Sequence, residues 1–167
     1  DGIQRSLLRG ELLEEQYYLC GYCCTRLLMD KAINEHILPQ SMSDTMSLDY
    51  NNLIASCSGY KNNQETCGHR KENTYDALKF IGPLEDGCES NFQYYPNGEI
   101  VPVNERADYT IKTLNLNSYE LKKARKAIFK QLVNYSKDMI VQIFLTVDDG
   151  MLQPFCNVAK WYTQSYE

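Results

Sequence analysis

Long apolar runs are missing from this 167-residue chain: nothing approaches the ~18 consecutive apolar residues of a membrane span. No membrane-spanning helix is expected. The opening stretch DGIQRSLLRGELLEEQ is charged throughout and lacks the apolar core of a signal peptide, so the expectation is a soluble, cytoplasmic protein. Basic residues are in deficit, 17 Lys and Arg against 22 Asp and Glu, for a net charge of −5. That balance argues against a protein that grips nucleic acid over its whole surface. Histidine is scarce at two residues, so histidine-dependent chemistry can be located by inspection. Cysteine is abundant but odd in number, at seven, which disfavours a fully disulfide-paired scaffold and points to metal ligation plus a few buried thiols. Neither internal repeats nor low-complexity linkers are present. With 43% apolar and 23% charged residues the chain can bury a core, and one α+β domain is the simplest arrangement.

Periodicity places the elements. Ile3, Leu7, Leu8, Leu12 and Leu13 recur near helical spacing, predicting an amphipathic helix from Ile3 to about Tyr18. It runs into a tight knuckle, Cys20-Gly21-Tyr22-Cys23. Ile33 to Ile37 reads as a short strand stopped by Pro39, Ser41 to Asn52 as a polar loop, and Leu53 to Cys57 as a second strand. A polar stretch from Ser58 to Thr66 leads to a short helix beginning at Cys67-Gly68-His69-Arg70-Lys71. Further on, Asn97-Gly98 between two β-prone runs signals a hairpin. Ser118 is the expected N-cap of a helix whose apolar stripe is Leu121, Ala124, Ile128 and Leu132. Periodicity leaves Met139 to Val147 open between a buried strand and a helix end, and Phe155 to Tyr162 closes the chain as a short aromatic segment.

Four cysteines fall into two pairs, Cys20 with Cys23 (C-x2-C) and Cys57 with Cys67 (C-x9-C). A tetrahedral zinc site needs four soft ligands at one point, and a C-x2-C knuckle supplies two of them. The rivals are four buried thiols, Cys24 as a ligand in place of Cys23, and a redox motif. No βαβ pattern supports the last. Between the pairs lie Glu35 and His36. A lone histidine on a strand is usually structural; the acid before it, Asn51-Asn52-Leu53 after it and the second cysteine pair with His69 change that weighing. Hydrolysis of a phosphodiester needs a base to deprotonate water, for which His36 is suited, and a divalent metal, for which Glu35 is a hard oxygen ligand.

The ordered set Cys20, Cys23, Glu35, His36, Ile37, Pro39, Asn52, Leu53, Cys57, Cys67 and Lys71 resembles the HNH (ββα-metal) endonucleases whose fold is pinned by a four-cysteine zinc site. The later segments Asp86-Gly87-Cys88-Glu89, Asn97 to Pro102 and TIKTLNLNSYELKKAR are similar to the PtuB-type HNH nucleases. These accompany an ABC/SMC-like ATPase, PtuA, in Septu and certain retron antiphage systems. The resemblance implies a zinc-stabilised ββα-metal core over residues 20–85, an N-terminal helix over 1–19 and a hairpin-plus-helix extension over 86–167.

It also implies roles. His36 would activate water, while Glu35 and a residue of the last core helix would bind Mg²⁺ or Mn²⁺. Asn52 would organise the loop that fixes His36, or lie near the metal. Cys20, Cys23, Cys57 and Cys67 would hold structural Zn²⁺, leaving Cys24, Cys88 and Cys156 as core thiols. The implied partners are a PtuA-type ATPase, a DNA or RNA substrate and, in a retron, the reverse transcriptase with its RNA–DNA. One departure is informative: HNH enzymes usually carry His, Asn or Asp after the final cysteine, where this chain has Gly68. His69 then takes that position through a shifted helix start, or Asn73 does, or the metal site is weaker than usual. A zinc-stabilised binding module without catalysis is the competing class. The basic residues Lys122, Lys123, Arg125, Lys126, Lys130 and Lys137 on the helix after Ser118 are most simply a solvated face. The alternatives are a phosphate-contacting or partner-docking surface. Tyr94, Tyr95, Tyr109, Tyr119, Tyr135, Trp161 and Tyr162 would line an interface or cap a small core.

Overall fold

The computed structural model describes residues 2–59 and 65–165. Helix α1 (Gly2–Glu15) buries Leu12 and Leu13, whereas Ile3 and Leu7, the first members of its apolar stripe, stay exposed. Gln16 then docks like a strand residue: its amide donates to Ala55 O (2.9 Å) and accepts from Ala55 N (2.7 Å). The chain turns back through the knuckle, closed by Cys24 N to Cys20 O (2.9 Å) and by an antiparallel bridge of Leu19 with Arg26.

Strands β1 (Ala32–His36) and β2 (Leu53–Cys57) pair antiparallel, with His36 opposite Leu53 and Ala32 opposite Cys57. The polar loop between them is wound into three short 3₁₀ turns over Gln40–Met42, Thr45–Leu48 and Tyr50–Asn52. Helix α2 (Cys67–Lys71) follows, giving a β-hairpin with α1 on one face and α2 on the other. The stretch from Ser58 to Thr66 lies partly outside the described residues.

The remaining chain builds a hairpin of β3 (Phe92–Tyr94) and β4 (Ile100–Pro102), then α3 (Glu105–Thr113), α4 (Tyr119–Leu132), α5 (Lys137–Ile140) and α6 (Cys156–Ser165). Apolar periodicity does not announce helix α3. Its signals are local: Asn104 caps it by accepting from Ala107 N (2.9 Å), and Glu105 sits in the first turn, where a helix dipole favours acid. Ser118 precedes α4 as expected, yet its hydroxyl makes no cap bond and is buried without a partner. The ambiguous run after Met139 is helical, continuing α5 into one π turn over Val141–Leu145.

The expected basic stripe also needs correcting. Helix α4 ends at Leu132, so Lys137 belongs to α5, and Arg125 is buried. Its guanidinium donates to Gly98 O (2.7 Å) and Leu116 O (2.6 Å), tying α4 to the hairpin turn. The aromatic residues divide. Tyr94 is buried, and half-buried Trp161 meets both Tyr94 and Phe129 edge-on, so these rings pack onto the core. Tyr95 and Tyr119 remain exposed.

The three segments drawn from the sequence share one apolar core that runs from Leu12 through Ile54 and Phe80 to Leu121 and Val158. Backbone bonds stitch them together, including Cys67 N to Leu114 O (2.9 Å) and Phe155 N to Cys24 O (2.8 Å).

Candidate metal centre and catalytic cleft

Cys20, Cys23, Cys57 and Cys67 converge, with their sulfur atoms all within 4.8 Å of one another. The knuckle supplies the first two, the last residue of β2 the third, and the first residue of α2 the fourth. Cys20, Cys23 and Cys67 are buried. Cys23 Sγ lies 3.8 Å from Cys57 Sγ. A tetrahedron with zinc–sulfur bonds of ~2.3 Å has edges of about 3.8 Å, so the group can hold a metal ion such as zinc. The charge state of the thiols fits as well. Burial pushes the Cys20 thiol up, but hydrogen bonds from Cys23, Cys57 and Cys67 outweigh it and hold Cys20 well below its ordinary value. Cys23 and Cys67 are driven well above theirs by their hydrogen bonds to the other thiols. Packed thiols resist ionising together, and a divalent cation removes that conflict.

The other three cysteines are not fully buried. Cys24 and Cys156 interact where the knuckle meets α6, which raises the Cys24 thiol and lowers that of Cys156; Cys88 is half-buried nearby.

Glu35 and His36 part company. Successive strand side chains point to opposite faces. Glu35 faces α2, where Lys71 Nζ donates to its Oε1 (2.9 Å) and to the His36 carbonyl (2.9 Å). Lys71 is fully buried and Glu35 is 8% exposed. Tyr22 OH also donates to Glu35 Oε1 at 3.4 Å, and burial followed by the charge of Glu35 pushes the Tyr22 phenol well up. Gly68 closes the other side: a Cβ there would sit 2.6 Å from Glu35 Oε2.

The expected divalent-metal ligands therefore do not assemble. His69 lies one residue past Gly68, about 100° round the helix from the Glu35 side, and is exposed. Asn73 falls beyond α2 and is exposed too. Among the described residues the four cysteines are the one group of three or more His, Cys, Asp or Glu close enough to share an ion. Lys71, matched only as part of a motif, is the residue whose role the sequence left unread. Its ammonium is the cation that the Glu35 carboxylate receives.

His36 faces the opposite way, into a cleft of about 550 Å³ between α1 and β1, lined by Arg5, Arg9, Asn34, Ser47 and Tyr50. Its Nε2 is 3.0 Å from Ser47 O. A carbonyl only accepts, so Nε2 carries the proton and Nδ1 of the neutral ring presents its lone pair. Asn52, 4% exposed, holds this loop in place. Its Oδ1 accepts from Leu38 N (2.7 Å), and its Nδ2 donates to Leu38 O and Met46 O (both 3.0 Å). The Asn52 clamp and the Ser47 bond together fix the imidazole.

The chain matches no protein-family model and no curated protein. No helix among the described residues is long and apolar enough to cross a membrane.

Proposed function

We propose that the chain is an HNH-type endonuclease that hydrolyses phosphodiester bonds, with His36 as general base and zinc as a structural ion held by Cys20, Cys23, Cys57 and Cys67. The observation that carries the reading is the setting of His36. It sits at the end of β1 in an open cleft of mixed polar and apolar lining, with Nε2 committed to Ser47 O and Nδ1 available to take a proton. Water loses a proton to Nδ1, its oxygen attacks phosphorus, and the bond to the leaving sugar oxygen breaks as that oxygen takes a proton from solvent. Asn52 and Lys71 position the base, one through the loop and the other through the His36 carbonyl. Zinc held by these four sulfurs would have no open position and would serve the fold rather than the reaction.

The Mg²⁺ or Mn²⁺ that the resemblance implies does not fit the donors present, because Glu35 is closed by Lys71 and by the backbone at Gly68. The same observation favours the second reading, a zinc-stabilised nucleic-acid-binding module that does not hydrolyse. In either case the resemblance supports service within an antiphage complex beside a PtuA-type ATPase, in a Septu or retron setting. The net charge of −5 supports a partner that supplies part of the substrate grip.

The test is cleavage of DNA and RNA, with and without the ATPase and with and without Mg²⁺ or Mn²⁺, beside His36→Ala. Cleavage lost in His36→Ala at unchanged zinc content supports the nuclease. Cleavage that survives removes His36 as the base, and binding without cleavage under every condition selects the module.

A further inference from the structure

Helix α1 brings two arginines to the cleft that His36 faces. Arg5 and Arg9 are four residues apart, which places both on one side of the helix. Arg9 is held in place, since its Nε donates to Asn34 Oδ1 (3.1 Å), and the Asn34 amide in turn donates to Arg5 O (2.9 Å). That bond uses one edge of the Arg9 guanidinium and leaves its two terminal nitrogens for a ligand. Neither arginine forms an ion pair among the described residues. Acids outnumber bases in this chain, so two neighbouring unpaired guanidinium groups beside a histidine are notable. Burial, followed by the neighbouring Glu15 and then Glu11, raises the phenol of Tyr50, which also lines the cleft.

We infer that the cleft is a phosphodiester-backbone site in which Arg5 and Arg9 hold adjacent phosphates against His36. Guanidinium matches phosphate geometry with two parallel N–H donors and stays charged at every working pH. The pair supplies the positive charge that Glu35, closed by Lys71, cannot gather as a bound divalent ion. The inference rests on the reading of this cleft as the nuclease site and adds to it the residues that receive the substrate.

The test is fluorescence anisotropy of short labelled DNA and RNA, single- and double-stranded, at low salt without divalent ions. Arg5→Gln/Arg9→Gln should weaken binding at least tenfold. It should also flatten the dependence of log K on log salt by about 1.4 on single strands and about 1.8 on duplex DNA. Arg9→Lys keeps the charge and reports on folding, together with zinc content and melting temperature. Lys123→Gln/Lys126→Gln removes the same charge from α4 and should leave affinity unchanged. Adding Mg²⁺ should weaken binding by competition. The inference is overturned if wild type fails to bind, if the arginine pair changes nothing, if the α4 pair costs as much, or if Mg²⁺ strengthens binding. Failure of the nuclease reading shows separately, as binding without cleavage. Comparing the DNA and RNA arms identifies which backbone the cleft takes.

Discussion

Replacing Lys71 by Met is the sharpest perturbation of the core. The change keeps length and volume and removes the ammonium, whose three partners are Glu35 Oε1 at 2.9 Å, His36 O at 2.9 Å and Glu72 O at 3.5 Å. The Lys71 side chain is 1% exposed and that of Glu35 11%, so the stranded carboxylate cannot recover its hydration. Only the Tyr22 hydroxyl, at 3.4 Å, would still donate to the oxygen that Lys71 leaves. Breaking a buried ion pair on one side costs about 3–5 kcal/mol. For a chain of this size each kcal/mol moves the melting temperature by about 2–4 °C, so a fall of about 6–20 °C is expected. Glu35→Gln/Lys71→Met removes both charges, keeps an acceptor for Tyr22 and should recover much of the loss. Thermal unfolding of the zinc-loaded protein measures both variants. A Lys71→Met melting point within about 2 °C of wild type, or a double variant no better than the single, would refute the buried pair.

Chelation of zinc, or Cys67→Ser, should unfold the region from the knuckle to α2, because structural zinc contributes ~10–16 kcal/mol in small zinc peptides. Elemental analysis should find about one zinc per chain, and an unchanged melting curve after its removal would contradict the site. Gly98→Ala should cost about 3 kcal/mol, since Gly98 has φ +89° and a Cβ there would collide with the Lys122 carbonyl of α4; a neutral result in denaturant titration would count against that packing. Burial holds the Tyr94 phenol above its ordinary value while Asn157 donates to its oxygen at 2.8 Å. The folded state therefore favours the protonated phenol. That stability is complete below the unfolded value of about 10 and is lost as pH rises through the folded one. Tyr94→Phe should flatten the alkaline branch of stability against pH, and an unaltered branch would exclude this cause.

The fold was legible where periodicity and turn chemistry are strong. The Asn97-Gly98 turn and the strand Leu53–Cys57 stand where their local signals put them; the first strand lies one residue earlier than expected, at Ala32–His36, and α4 buries Leu121 and Leu132 of its stripe while Ala124 and Ile128 stay half-buried. Short α3 was missed because its signature is a cap at Asn104 rather than an apolar stripe. The role of Arg125 was misread because its partners, Gly98 and Leu116, are carbonyls from other segments, which no pattern of side chains announces.

The site divides in the same way. The four cysteines could be picked out by spacing, since a knuckle and a hairpin end bring sulfur together by local geometry. Glu35 was expected beside His36, but strand alternation sends the two side chains to opposite faces. Lys71 reaches Glu35 across 36 positions, a contact that spacing alone does not encode. Arg5 and Arg9 were read simply as part of a charged helix; their importance depends on α1 folding back over β1 through Asn34.

The proposed reaction is phosphodiester hydrolysis with His36 as the base. The direct measurement is cleavage of labelled DNA and RNA by the zinc-loaded chain, with and without the proposed PtuA-type ATPase, compared with His36→Ala at matched zinc content and melting temperature. Wild type should cleave, and the variant should lose at least 100-fold, the scale of general-base catalysis. Cleavage by His36→Ala at the wild-type rate would contradict His36 as the base.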